Sequence, residues 1–200
     1  SAALGMGSSA FGSGAVAIGE FGTANGYNAV AEGNDSVANG SNAEALGDSS
    51  VAIGGKVNAF DADGNPIEVN TVASALGATA VGSGSLASGM GSSAVGVLSE
   101  ANGTAASAFG YGSIANGEYA SSFGHAAGAS GDYSVAVGGP ADLIPGLGIL
   151  VYTQASGTSS AAFGAGAIAA GEFSTATGSL SEASGTMSTA LGYFAYAPGI

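Results

Sequence analysis

Through the middle of the chain, the residue before every seventh glycine alternates between polar and apolar: Ser88, Val95, Asn102, Phe109, Asn116, Phe123, Ser130, Val137. The glycines recur at Gly5, Gly12, Gly19, Gly26, Gly33, Gly40, Gly47 and Gly54. They restart at Gly77, step short to Gly82, and continue by sevens to Gly138, with a third run from Gly157 to Gly199. Self-similarity at a fixed period predicts a solenoid, whose units bury a core only by stacking on one another. A coiled coil is excluded despite the heptad, because a glycine in each repeat would cost a helix about 1 kcal/mol. Within a repeat the apolar signal has a period of two: in Ser134-Val135-Ala136-Val137-Gly138, Val135 and Val137 point one way and Ala136 the other, as in a short strand. The glycine then closes the strand, being free to adopt φ > 0 where the chain turns.

Because successive heptads differ, the structural unit is fourteen residues: two strands on opposite faces of a flattened coil. Alanine, with Ser122 at one position, points inward from both. One outer face carries Val95, Phe109, Phe123 and Val137, and the other Ser88, Asn102, Asn116 and Ser130; Phe163 and Leu191 lie opposite Ser156 and Ser184 in the third run. The first run, Leu4, Phe11, Ile18, Asn25, Glu32, Asn39, Leu46, Ile53, does not alternate and leaves its faces unassigned. The expected fold is all-β, a parallel β-roll of about 14-residue coils in one domain over 1–200. The roll occupies 1–54, 73–138 and 155–200, with insertions at 55–72 and 139–154. At roughly 4.8 Å per coil, about twelve coils make a rod on the order of 55–60 Å long.

A coil filled by alanine gains little from burial, while a stripe of Val95, Phe109, Phe123, Val135, Val137, Phe163 and Leu191 left in water is a patch that has to be covered. The chain is therefore expected to self-associate through that sheet; the arithmetic leaves the number of copies open.

Composition narrows the function. Fourteen carboxylates against the single Lys56 give a net charge of −13, which argues against nucleic acid or an anionic membrane surface and favours a basic partner where the partner is charged. No apolar run approaches the roughly 20 residues of a membrane helix. With no cysteine and one histidine, His125, there is no thiolate metal site and no second shell for a catalytic triad, so neither an enzyme nor a cofactor is expected.

The first insertion reads as a hairpin, Lys56–Phe60 and Pro66–Val69 around Asp61-Ala62-Asp63-Gly64-Asn65. As a calcium loop it fails, since Pro66 falls where glycine is needed and Val72 where the bidentate glutamate belongs. Turn chemistry is the simpler reading, and no metal is expected. The second insertion is an apolar loop, with Leu143, Ile144, Leu147, Ile149, Leu150, Val151 and Tyr152, suited to packing on the roll or a neighbouring chain, the alternative being a ligand contact. A Gly-acid-aromatic triplet recurs at Gly19-Glu20-Phe21, Gly117-Glu118-Tyr119, Gly131-Asp132-Tyr133 and Gly171-Glu172-Phe173. It reads either as a corner covering or as a repeated adhesive edge. Glu118, Tyr119, Asp132, Tyr133, Asp61 and Asp63 are accordingly the candidate ligand contacts.

The units Ser50-Val51-Ala52-Ile53-Gly54, Ser134-Val135-Ala136-Val137-Gly138 and Ser107-Ala108-Phe109-Gly110 resemble the repeat of the YadA-like heads of trimeric autotransporter adhesins. The resemblance covers the three runs and omits the insertions. It implies a left-handed parallel β-roll and a side-by-side homotrimer packed through the apolar sheets. It also implies a place on the surface of a Gram-negative bacterium, distal to a stalk and an outer-membrane anchor that this sequence does not display. The function so implied is non-catalytic, multivalent attachment to host matrix proteins, cells or solid surfaces. The alternative is a structural spacer in a trimeric fibre whose binding segments lie elsewhere.

Overall fold

Short period-two segments closed by glycine form strands of two kinds in the computed structural model, which describes residues 1–60, 63–144 and 147–199. No helix occurs among the described residues. Two compact units, Ser1–Ala101 and Asn102–Ile200, are each a parallel β-solenoid with two sheets. In the first unit, two-residue strands such as Val16–Ala17 and Val30–Ala31 form a narrow sheet, and three-residue strands such as Thr23–Asn25 and Val37–Asn39 form a broad one. In the second unit, Ile114–Ala115 and Gly128–Ala129 are narrow, and Ser107–Phe109, Ser121–Phe123 and Val135–Val137 broad. Partners in register are fourteen residues apart, as in Phe109↔Phe123 and Phe123↔Val137.

The inward residue of both strands is alanine, fully buried from Ala17 and Ala24 in the first unit to Ala129 and Ala136 in the second. Ser122 takes one of these places and donates its hydroxyl to the Ala127 carbonyl at 2.7 Å. With methyls as the largest inward groups, the two sheets approach closely, and the residue before each strand is small too. Ser36, Ser85, Ser99, Ser113 and Ser181 stand there, buried or nearly so, each bonding back to the glycine carbonyl three residues earlier.

Glycine closes both kinds of strand where a Cβ would meet the backbone of the next coil, and only after a broad strand is a positive φ required as well, which corrects the single explanation offered by the sequence. After a broad strand the expectation holds: Gly124, for example, has φ of 129°. After a narrow strand φ lies outside the left-handed region, and the constraint is the next coil. A Cβ on Gly117 would stand 2.1 Å from the Gly131 carbonyl oxygen. The left-handed residue comes two positions later and is often not glycine: Phe21, Asp35 and Ser49 in the first unit, Tyr119, Tyr133 and Phe173 in the second. Such a conformation costs an ordinary residue about 1–2 kcal/mol. Gly77 belongs to this left-handed column, with φ of 65°, and Ala75 occupies the strand-closing place. The short step from Gly77 to Gly82 is thus an alanine substitution within an unbroken repeat.

The first run, unassigned from sequence, resolves cleanly. Phe11, Asn25, Asn39 and Ile53 close broad strands, while Ile18, Glu32 and Leu46 follow narrow ones.

Two antiparallel hairpins leave the roll at equivalent corners. Val57–Phe60 pairs with Pro66–Val69 in the first unit, and Ala141–Asp142 with Leu150–Val151 in the second, so the segment expected to be a loop is itself stranded. The coil resumes at Thr71 and Val72, Val72 pairing with Glu44 and Leu86, and at Thr153 and Gln154. Both threonines are fully buried and spread one hydroxyl over two carbonyls: Gly55 at 2.9 Å and Gly82 at 2.8 Å for Thr71, Gly139 at 3.0 Å and Gly164 at 2.7 Å for Thr153. Each hairpin then lies over the following turn. A Cβ on Gly84 would strike Val57, and one on Gly166 would strike Ala141.

Candidate functional site

Outward positions of the two sheets, the turns between them and the hairpins are what each unit offers a partner. On the broad sheet of the second unit, Phe109, Phe123, Val137 and Phe163 close successive strands, each 36–41% exposed, with Leu191 at the same position two coils further on. Phe109 and Phe123 stack with centroids 5.2 Å apart and planes within 5°. Val135 points outward from the first position of its strand. Val95 closes the equivalent strand in the first unit, after Val81 and Ile53.

The narrow sheet is less polar than the alternation suggested. The residue after each inward alanine is indeed polar at Ser74 and Ser88 in the first unit and at Asn116, Ser130 and Ser156 in the second. The residue before it is mixed: Val16, Val30, Val72 and Leu86 in one unit and Ile114 and Ile168 in the other are apolar, half-buried and point outward, among Glu44 and Glu100 in the first unit and Gln154 and Glu182 in the second. Sequence reasoning followed one position of the triplet and missed this column, although the signal stood two residues before each x of Ala-x-Gly.

The acid-aromatic triplets all occupy the turn from narrow to broad strand. Tyr119 and Tyr133, left-handed at φ of 56° and 58°, stack at 5.2 Å with their rings about half exposed. Asp132 supports the turn before it, since its Oδ1 accepts the Glu118 backbone N–H at 2.9 Å. Asn34 and Asp48 do the same for Glu20 and Asn34 in the first unit, at 2.9 and 2.8 Å. The geometry thus gives the acids of this column a stacking role in the turn. The Glu118 side chain is exposed. Asp63 is exposed at the turn of the first hairpin, whose strands carry the exposed Lys56–Glu68 ion pair at 2.5 Å, whereas Asp61 lies outside the described residues. No group of three or more potential metal ligands is found among the described residues. His125 packs edge-on against Tyr111 at 5.3 Å.

The coil just described matches a family model, the YadA head domain repeat (2 copies), over residues 3–29, 17–43, 31–56, 73–99, 87–113, 101–124, 115–139, 155–181 and 183–200. The chain belongs to the YadA head family. Its matches skip the stretches between 56 and 73 and between 139 and 155, so the two hairpins of this YadA head lie outside the family repeat. No curated protein matches the chain. The family makes this YadA head an adhesin-type, surface-exposed domain of a non-enzymatic class. No helix among its described residues is long and apolar enough to cross a membrane.

Proposed function

We propose that this head attaches a Gram-negative bacterium to host matrix proteins, cells or solid surfaces through many weak, non-catalytic contacts, as a side-by-side homotrimer of left-handed rolls. The observation that carries the reading is the column Phe109, Phe123, Val137 and Phe163, large apolar groups left more than a third exposed on one sheet. With Val135 and Leu191 it is the surface of the second unit that a second and third copy would cover, and Val95 holds the corresponding position on the first unit. Three chains then present every outward turn in triplicate, which raises avidity without a deep pocket. Glu118, Tyr119, Asp132, Tyr133, Asp61 and Asp63 are the contacts proposed for the ligand.

Sedimentation equilibrium tests the assembly. The wild type should run at three times its 18.5 kDa chain mass, and Phe109→Glu with Phe123→Glu should lower it to one. A folded wild-type monomer would remove the main physical support. The spacer alternative is separated by deleting this region while preserving fibre length: retained attachment supports the spacer, lost attachment the binder.

A further inference from the structure

We propose that the narrow sheet of the second unit carries a binding groove for a neutral sugar, centred on Gly128. This deepens the adhesin reading and rests on it. In the outward column of that sheet Gly128 is the one position without a side chain, flanked by Ile114 one coil before and Gln154 one coil after. The missing side chain leaves a groove of about 310 Å³, with Ile114 on one wall, Tyr152 of the hairpin on another, and Asn116, Ser130 and Gln154 along it. That volume is at the lower end of small-ligand sites.

The chemistry of the lining selects the ligand. On a chain of net charge −13, no charged residue lines the groove. An ionic ligand would therefore find no counter-charge, and a purely apolar one would strand three polar side chains. A pyranose has an apolar C–H face and a rim of hydroxyls that both donate and accept. The Tyr152 ring, 38% exposed, and Ile114 suit the face. The Ser130 hydroxyl and the Asn116 and Gln154 amides suit the rim. Asn116 accepts the Asn102 amide at 2.8 Å through its carbonyl oxygen, which turns its NH₂ to the task of donating to a sugar hydroxyl. Gly128 and Ile114 stand on the sheet opposite the Phe109 column, so a trimer built through that column leaves the groove open.

The backbone at Gly128 lies outside the left-handed region, and a Cβ there would meet only the Gln154 side chain at 4.0 Å. Gly128→Leu should therefore fold normally and fill the groove as Ile114 fills its own place. The full chain is applied to a glycan array printed with neutral and sialylated oligosaccharides, alongside Gly128→Leu and Tyr152→Ala. The wild type should bind neutral glycans, and both variants should lose at least tenfold in signal with unchanged circular dichroism and melting. Equal binding by wild type and Gly128→Leu, or binding confined to sialylated glycans, overturns the proposal. Beads coated with the wild type are assayed in parallel on collagen, on cultured cells and on bare polystyrene. Attachment there without any glycan binding sinks the sugar site and keeps the adhesin reading; attachment to nothing sinks both.

Discussion

Replacing Gly117 by alanine isolates the contact that sets the spacing of the coils. Its φ lies outside the left-handed region, and Ala75 holds the equivalent place in the first unit, so alanine has no intrinsic difficulty with this backbone. In the unfolded chain the change should stabilise the protein by about 0.4–1 kcal/mol, through lost freedom. The folded state opposes it. The new Cβ would lie 2.1 Å from the Gly131 oxygen, 2.4 Å from its carbon and 2.8 Å from the Asp132 nitrogen. All three are backbone atoms, so no side chain can swing aside. An ordinary C···O contact is about 3.3 Å, and the corner has to open by roughly 1 Å.

Ala75 shows what gives way. Narrow-strand glycines send a long second hydrogen bond to the next coil, Gly117 N–H to the Ala129 carbonyl at 3.4 Å, and among the described residues Ala75 makes no such bond to Ala87. Overpacking of this size costs about 1–3 kcal/mol. After the entropic gain, the net loss is about 1–2 kcal/mol, or roughly 2–8 °C in melting temperature for a chain of this length. Urea and thermal unfolding by circular dichroism at one fixed concentration read it, with Gly128→Ala as the control. That backbone is also unrestricted and the Cβ meets nothing closer than 4.0 Å, so the control should gain the 0.4–1 kcal/mol that Gly117→Ala forfeits. If Gly117→Ala is as stable as the control, backbone contact does not set the coil spacing and the steric account of this glycine column is wrong.

Thr71→Val and Thr153→Val keep the shape of the buried residue and remove its hydroxyl, while the Gly55 and Gly139 carbonyls keep the Gly84 and Gly166 N–H donors. Each should cost about 1 kcal/mol, read by unfolding, with amide exchange accelerated in the adjoining hairpin. Asp132→Asn preserves an oxygen for the Glu118 N–H and removes only the charge, whereas Asp132→Ala removes both. If the charge touches ligand, both variants lose attachment; if the residue only stacks the turn, only the alanine variant changes, by a loss of about 1–2 kcal/mol in stability. Ser122→Ala installs the residue that other inward positions carry, and because the Ala127 carbonyl also accepts the Ile114 N–H, the stability change should stay within about 1 kcal/mol.

The solenoid was legible because one-residue facts repeat. Ala136 between Val135 and Val137 specifies inward and outward positions in a single coil, and repetition of that triplet specifies the rest. What stayed hidden depended on geometry that composition does not encode. Gly77 and Gly117 look alike as letters, yet one bends the chain and the other makes room for a neighbour. Asp132 reads equally well as a solvated acid and as the acceptor that ties one turn to the next. The Gly128 groove was invisible because it needs a missing side chain on one coil, polar groups on adjacent coils, and Tyr152 brought over by a hairpin.

The two hairpin exits have a use beyond holding their present occupants. At both, the chain departs through a Gly-Gly pair, Gly54-Gly55 or Gly138-Gly139, and re-enters through a buried threonine bonded to the second glycine of that pair. The coils on either side pair across the gap in ordinary register, Glu44 with Val72 and Gly128 with Gln154. Glycine pair and threonine together form a splice socket that holds two hairpins of unlike sequence by the same backbone bonds. A foreign loop grafted between Gly55 and Thr71 would be displayed at a defined height on the scaffold, with glycine kept at position 84 to let it lie flat.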